Sequence, residues 1–421
     1  MKQQKYEFLN SQFTFRRNKK TKIAAQNELL APAGDLACLN AAIQAGANAV
    51  YLGLKELNMR ATGKNFSFSE LKQSSKICKQ NKVKIYLTLN TIIYDSELKK
   101  AENIIKKIKP FVDAVICWDL SIIQLCRKYK IPFHISTQAS VSNSESAEFY
   151  KKLGAERIIL ARELNLKQIK KISKIIPIEC FCHGAMCVSI SGRCFTSQFL
   201  HNQSANRGKC THPCRRNYKI IDQTDETNEL ILNNNKVMSA KDLCTLPFIE
   251  KMKQAGITSF KIEGRNRNPE YVYTVVSEYR KALDKKLTKE EIAQGLNNLK
   301  KVYHRGLSSG FYIKTPTADD FSFSENGEQE QKKKFIGKVE RYWPKINVAH
   351  IKIFNNGLKV GKEVYIIGSK TGIIKTKVKT IEINKNPTQT AKKGDDVGIK
   401  FADDKILKKG DDVYLIEGKN N

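Results

Sequence analysis

Acidic side chains are scarce in this 421-residue sequence: 42 Asp and Glu stand against 74 Lys and Arg, a formal net charge of +32. Long apolar runs are missing too. The nearest, Ala41 to Leu54, is broken by Gln, Gly and Asn, short of the ~18 consecutive apolar residues of a membrane helix, so no membrane span is expected. The first 25 residues hold seven basic side chains and one acid, Glu7, with no apolar stretch of the kind a secretory signal carries. A basic arm over residues 1–27 is expected, with organellar import as the other use of such a leader. Eleven cysteines without an export signal predict a reducing, cytoplasmic setting, where thiols serve metals, redox chemistry or packing. No C-x2-C pair occurs, which excludes zinc ribbons and common ferredoxin patterns, and neither HExxH, a Ser-His-Asp set nor a papain-type signature is present.

What is there is a folding composition, 41% hydrophobic and 28% charged, which excludes collagen-like, coiled-coil and small disulfide-stapled classes. The positive surplus attracts polyanions, nucleic acid first among them, although a lysine-biased composition would raise the charge as well. From Glu28 onward, short β-branched runs alternate with amphipathic stretches. Strands are expected at 28–34, 49–54, 82–90, 113–119, 132–138, 156–162, 178–184 and 259–265, with helices at 35–46, 68–80, 95–108, 120–130, 143–154, 165–176 and 269–285. Eight βα units predict an α/β fold, a TIM-like (β/α)8 barrel, with a doubly wound open sheet as the alternative. In a barrel the chemistry sits where strands end, so Asn90, Asp119, Gln138, Arg162, His183, Glu263 and Arg265 become the candidate positions.

The seventh unit is irregular. About 75 residues separate its strand from the eighth, and insertions at that face usually carry function. The expected organisation is a barrel over 28–314 with a Cys-rich insert at 185–258, a polar linker at 315–334, and a small C-terminal antiparallel β-barrel over 335–421. Seven cysteines fall within 65 residues, Cys180 to Cys244, five of them inside the insert. Cys180 and Cys182 alternate on a strand and read as core. The rest run C-x6-C-x15-C-x3-C-x29-C from Cys187 through Cys194, Cys210 and Cys214 to Cys244. Soft sulfur ligands suit zinc or an iron–sulfur cluster, and a nucleophilic cysteine beside His183 is the third possibility.

The string Glu179 to Cys194 (ECFCHGAMCVSISGRC) resembles the signature of peptidase family U32, as do ELLAPAG, NRGKCTHPCRRNY, MSAKDLC, FKIEGR and HRGLSSGFY elsewhere. The resemblance covers most of 28–312. It implies a TIM-like barrel and an enzyme, either of the collagenase-like protease type or of the type that hydroxylates RNA with prephenate in place of O2. With the charge surplus and C-terminal domain, the second is the expectation: hydroxylation of the tRNA wobble uridine to 5-hydroxyuridine, with ribosomal RNA cytidine as the other target. A non-catalytic RNA-binding protein with a structural metal is a further alternative. The resemblance also implies a [4Fe-4S] cluster on Cys187, Cys194, Cys210 and Cys244, with Cys214 as the other choice for the fourth ligand and zinc as the other metal. Arg193, Arg265 and Arg162, together with Gln138, are then expected to hold substrate carboxylates, and Glu263 and His183 to move protons.

Overall fold

Short apolar runs that are buried on both faces can only be interior strands of a sheet covered by helices. In the computed structural model, which describes residues 27–418 apart from 217, 233–237, 323, 325–326 and 356, eight such runs form a closed parallel barrel. They are β1 (Glu28–Pro32), β2 (Ala49–Leu52), β3 (Lys84–Thr88), β4 (Ala114–Cys117), β5 (Phe133–Ile135), β6 (Arg157–Ile159), β7 (Ile178–Gly184) and, after an insert, β11 (Ser259–Ile262). Closure is direct: Phe260 of β11 is in register with Leu29 of β1 on one side and Cys180 of β7 on the other. The expected TIM-like barrel is therefore present. The basic arm lies outside the described residues but for position 27.

Helices α1 (Leu36–Gln44), α2 (Phe68–Gln80), α3 (Leu98–Ile108), α4 (Leu120–Lys128), α5 (Ser144–Lys152) and α6 (Leu166–Ile172) wrap the barrel. Their starts are written locally. Asp35 accepts the Cys38 N–H at 2.9 Å, and Ser67 with Glu70, like Asn165 with Gln168, forms a reciprocal capping box. Asp119, a candidate site residue, is spent in the same way: it caps α4 through Ser121 N and takes the Ile93 N–H at 3.1 Å.

The insert holds α7 (Thr196–His201), a hairpin of β8 (Tyr218–Ile221) and β9 (Glu229–Leu232), and β10 (Asp242–Cys244), which runs antiparallel to β7. It ends in α8 (Ile249–Gln254), so the seventh unit does own a helix, displaced to the far end of the insert. After β11 come α9 (Pro269–Asp284), α10 (Lys289–Lys300) and the short β12 (Leu307–Ser308) beside β10.

The C-terminal strands are β13 (Gln331–Trp343), β14 (Val348–Ile353), β15 (Leu358–Lys359), β16 (Glu363–Gly368), β17 (Gly372–Ile383), β18 (Asn386–Thr388), β19 (Thr390–Ala391), β20 (Asp396–Phe401) and β21 (Asp412–Gly418). Six of them close a second, antiparallel barrel, because β16 pairs with both β21 and β17. Its own core, including Ile336, Ile351, Val397 and Val413, is separate from that of the first barrel. The two barrels meet at α1, where Gln44 Nε2 donates to Thr371 O at 2.7 Å and its Oε1 accepts the Ile373 N–H at 3.1 Å. Gly372 lies between them at φ +70, and a Cβ there would reach 2.5 Å from the Gln44 oxygen. No helix among the described residues is long and apolar enough to cross a membrane.

Candidate active site at the barrel mouth

The C-terminal ends of the strands open into a cavity of about 220 Å³, roofed by the insert. Its wall is built from loops after five different strands. Met59 and Arg60 come from the segment after β2, Gln138 follows β5, Arg162 follows β6, Cys187 follows β7, and Glu263 follows β11. Gly184, at φ +107, lets β7 turn out beneath it, and a Cβ at that position would stand 2.4 Å from Glu263 O.

Glu263 is the anion of the wall. Burial alone would raise its pKa, but Arg60 at 2.9 Å, the Arg162 charge and Lys261 bring it down to about 2. The Tyr51 hydroxyl donates to its other oxygen at 3.2 Å. At neutral pH this residue is a fixed carboxylate that can accept a proton but has none to give. Cations outnumber it: Arg60, Arg162, Arg215, Arg267 and Arg305 all line the cavity. Three of these gather round one hidden carboxylate. Asp242, on β10 and 1% exposed, stands 3.6 Å from Arg305 and 4.0 Å from Arg267, and feels the Arg215 charge. Arg215 is further braced by Ser239 Oγ and Ala240 O, each at 2.8 Å.

The thiols divide. Cys187, Cys194, Cys210 and Cys214 all face the cavity, whereas Cys244 does not. Cys244 sits inside, across the β7–β10 pair from His183, where the Tyr279 hydroxyl donates to its sulfur at 3.7 Å and burial pushes its pKa up to about 11. Burial also raises Cys214. Cys194 goes the other way. Burial opposes ionisation, but hydrogen bonding with Ser189 and Thr196 holds its thiol below the usual range; the Thr196 N–H donates to the sulfur at 3.4 Å, and the thiol bonds to Thr196 Oγ1 at 3.2 Å.

The remaining expected residues scatter. His183 is 2% exposed, packed on Tyr271 and Tyr279, and burial drives its pKa down to about 3. It is a neutral interior ring and is absent from the cavity wall. Arg193 donates to Gln138 O and lies over the Trp118 ring at the outer rim. Gln138 and Arg162 border both the mouth and a smaller chamber beneath it, to which Arg265 and Asn90 also contribute. Arg60, Arg267, Arg305 and His212 belong to the wall without having been among the expected site residues. Arg60 lies in a polar loop with no strand end to flag it.

The metal expectation is corrected. Among the described residues, no three His, Cys, Asp or Glu side chains stand where they could share an ion. The physical reason is visible in the individual sulfurs. Cys194 is engaged by Thr196, Cys210 by Ser197 Oγ at 3.9 Å, and the fourth intended ligand, Cys244, is enclosed on the other side of a strand pair. The set with Cys214 in place of Cys244 faces one cavity but is not gathered within reach of one ion either, so the donors as they stand fit neither a [4Fe-4S] cluster nor zinc.

Peptidase family U32 matches residues 34–322, which covers the barrel after β1 together with its insert. Among curated relatives, an uncharacterized protease of Methanocaldococcus jannaschii is 41% identical over 404 residues, covering 93% of this chain and 98% of that protein. A collagenase of Porphyromonas gingivalis is 37% identical, covering 88% and 94%. tRNA hydroxylation protein P1 of Bacillus subtilis is 35% identical, covering 83% and 86%. These names divide between proteases and RNA-directed proteins, so the likeness reaches the family and not a branch. Cluster- and prephenate-dependent hydroxylation of the tRNA wobble uridine is corrected as well: it required a ligand set that is not assembled, and the relatives at 41% and 37% carry protease names. On the match to more than half of its length, the chain belongs to peptidase family U32.

Proposed function

We propose that the mouth cavity is the active site of a thiol-dependent peptide hydrolase with Cys194 as its nucleophile. One observation carries the reading: a half-buried cysteine in a cationic cavity accepts a backbone N–H on its sulfur and ionises more readily than an ordinary thiol. In this scheme the thiolate adds to a peptide carbonyl, the C–N bond breaks, and the amine leaves with a proton. Water then cleaves the thioester, releasing the acid and restoring the thiolate. Water supplies the amine's proton and the hydroxide left behind attacks the thioester; His212, on the same wall and kept neutral by burial and neighbouring arginines, is a base able to take up a proton from that water. Arg215, Arg267 and Arg305 favour substrates with acidic side chains or a free carboxylate. The protease names of two relatives support the same class.

The test is cleavage of labelled gelatin and of acidic peptides by the intact chain. Activity should vanish in Cys194→Ser and survive in Cys187→Ser. Full activity in Cys194→Ser would end the proposal, as would an inert wild type whose Cys194 alkylates readily with iodoacetamide.

A second reading, that the cavity serves RNA, is favoured by the rim. Tyr94, Phe195 and Phe199 are 54%, 64% and 84% exposed, and Arg207 lies 4.7 Å over the Tyr94 ring. Exposed rings beside guanidinium groups suit unstacked bases. One of the relatives named above is an RNA-directed protein. Salt-sensitive binding of single-stranded RNA, weakened in Phe199→Ala, would support it, and binding unchanged by that substitution would not.

A further inference from the structure

Below the mouth, inside the upper barrel, lies a second chamber of about 60 Å³ bordered by Thr88, Gln138, Arg162, Lys261, Glu263 and Arg265. It exceeds the ~10–15 Å³ needed for one water, so a group of a few heavy atoms fits. Its polar inventory is unbalanced. Four cations border it, yet two are already neutralised: Arg60 by Glu263 at 2.9 Å and Lys261 by Glu179 at 2.8 Å.

Arg265 and Arg162 feel the Glu263 charge at longer range, but among the described residues neither makes an ion pair with a carboxylate. Arg265 is 4% exposed, and its fork donates only to neutral oxygens: Asn58 Oδ1 at 3.2 Å, Thr88 Oγ1 at 3.1 Å and Asn65 Oδ1. Its Nε–H has no hydrogen-bond acceptor among the described residues. Arg162 is half-buried, lies 4.0 Å over the Phe181 ring and donates one bond, to Ala185 O at 3.2 Å. Its Nε–H is likewise unpartnered. A buried guanidinium without a direct ion pair, and a buried N–H without an acceptor, are both unfavourable. Burial and the Arg60 charge lower the Arg265 pKa to about 10, although Glu263 opposes the shift. Two such groups border one small chamber.

We propose that this inner chamber is a binding site for a small oxyanion held between Arg162 and Arg265, with the Thr88 hydroxyl and Gln138 amide at its edge. A planar carboxylate or a phosphoryl group supplies what both Nε–H groups lack, since guanidinium forks pair with either. The site stands apart from the thiols and does not depend on which bond is cleaved above it.

The experiment uses the intact chain and needs no turnover. Thermal unfolding is followed while sodium acetate or inorganic phosphate is titrated at constant ionic strength, with chloride as the reference. A saturable rise in Tm is expected for at least one oxyanion, because a ligand that binds only the folded state stabilises it by mass action. Acetate acting alone assigns a carboxylate, and phosphate acting alone a phosphoryl group. The rise should persist in Cys194→Ser and disappear in Arg162→Gln and Arg265→Gln. Arg265→Gln alters a buried hydrogen-bond cluster and is the variant at risk of misfolding, so the half-buried Arg162 position carries the decision. An identical rise in Arg162→Gln, or no saturable rise with either anion in wild type, overturns the proposal. Failure of peptide cleavage leaves it standing.

Discussion

Arg157 opens the short strand β6 and Arg162 stands just beyond its other end, and the two live in opposite electrostatic settings. At the bottom of the barrel, Arg157 joins Glu28 and reaches Glu179 at 3.3 Å; Glu179 also holds Lys261, and Glu28 takes the Tyr86 hydroxyl at 2.7 Å and the Ser259 hydroxyl at 2.9 Å. Every charge there has a partner. At the top, Arg162 has a carbonyl, an aromatic face and an unsatisfied Nε–H. The lower interior is arranged for stability, since a buried ion is tolerated only when paired. The upper interior leaves cationic capacity unspent, which is the arrangement expected where something from outside must complete the site.

The largest effect should come from breaking the paired end. Arg157→Gln leaves Glu28 and Glu179 without their shared cation, and removal of one partner from a buried network costs about 3–5 kcal/mol. Urea denaturation measures this, and a loss below about 1 kcal/mol would mean that the lower cluster is not the support described here. Next in size is the acid response of the mouth. Because the Glu263 pKa is lowered to about 2 in the folded chain, from an ordinary value of 4.5, its contribution is present above pH 4.5 and is lost as pH falls toward 2. Across that window wild type should lose up to roughly 3 kcal/mol that Glu263→Gln does not lose, since each pKa unit is worth ~1.36 kcal/mol. Parallel acid limbs for the two proteins would show that Glu263 is not held as a carboxylate by Arg60.

This contrast between the two ends was only partly legible in the sequence. The barrel was, because the alternation of apolar strands and capped amphipathic helices is a local signal. Ser67 with Glu70 and Asn165 with Gln168 mark helix starts by residue type alone. Strand ends were read too long. The expected strand at 132–138 stops at Ile135, after which Thr137–Ala139 coils into a 3-10 turn and Ser140 adopts φ 53. Helix α8 escaped notice because six residues are too few to display a period. At the site, the crowding of cysteines into one window located the cavity. It grouped Cys244 wrongly, because spacing along the chain does not say which side of a strand pair a sulfur faces. The choice of Glu263 found the carboxylate of the wall. Its partner, Arg60, lies 203 positions away along the chain, and pairings of that range depend on barrel closure, not on any local pattern.

The smallest expected effect sharpens the contrast most. Arg162→Gln removes a cation that makes no ion pair and attracts Glu263 only at longer range, so the unliganded chain should lose little: chiefly one hydrogen bond to Ala185 O and the face of Phe181, together about 1 kcal/mol. The same change of residue type at Arg157, at the other end of the strand, should cost several times as much. Measuring both variants by urea denaturation in an oxyanion-free buffer isolates the electrostatic difference, because chain segment and substitution are shared. A large loss at Arg162 would mean that its charge is compensated within the chain after all, and that the upper interior is as self-sufficient as the lower. A small loss, with the oxyanion response abolished, would show that this arginine is kept for what it binds and not for what it holds together.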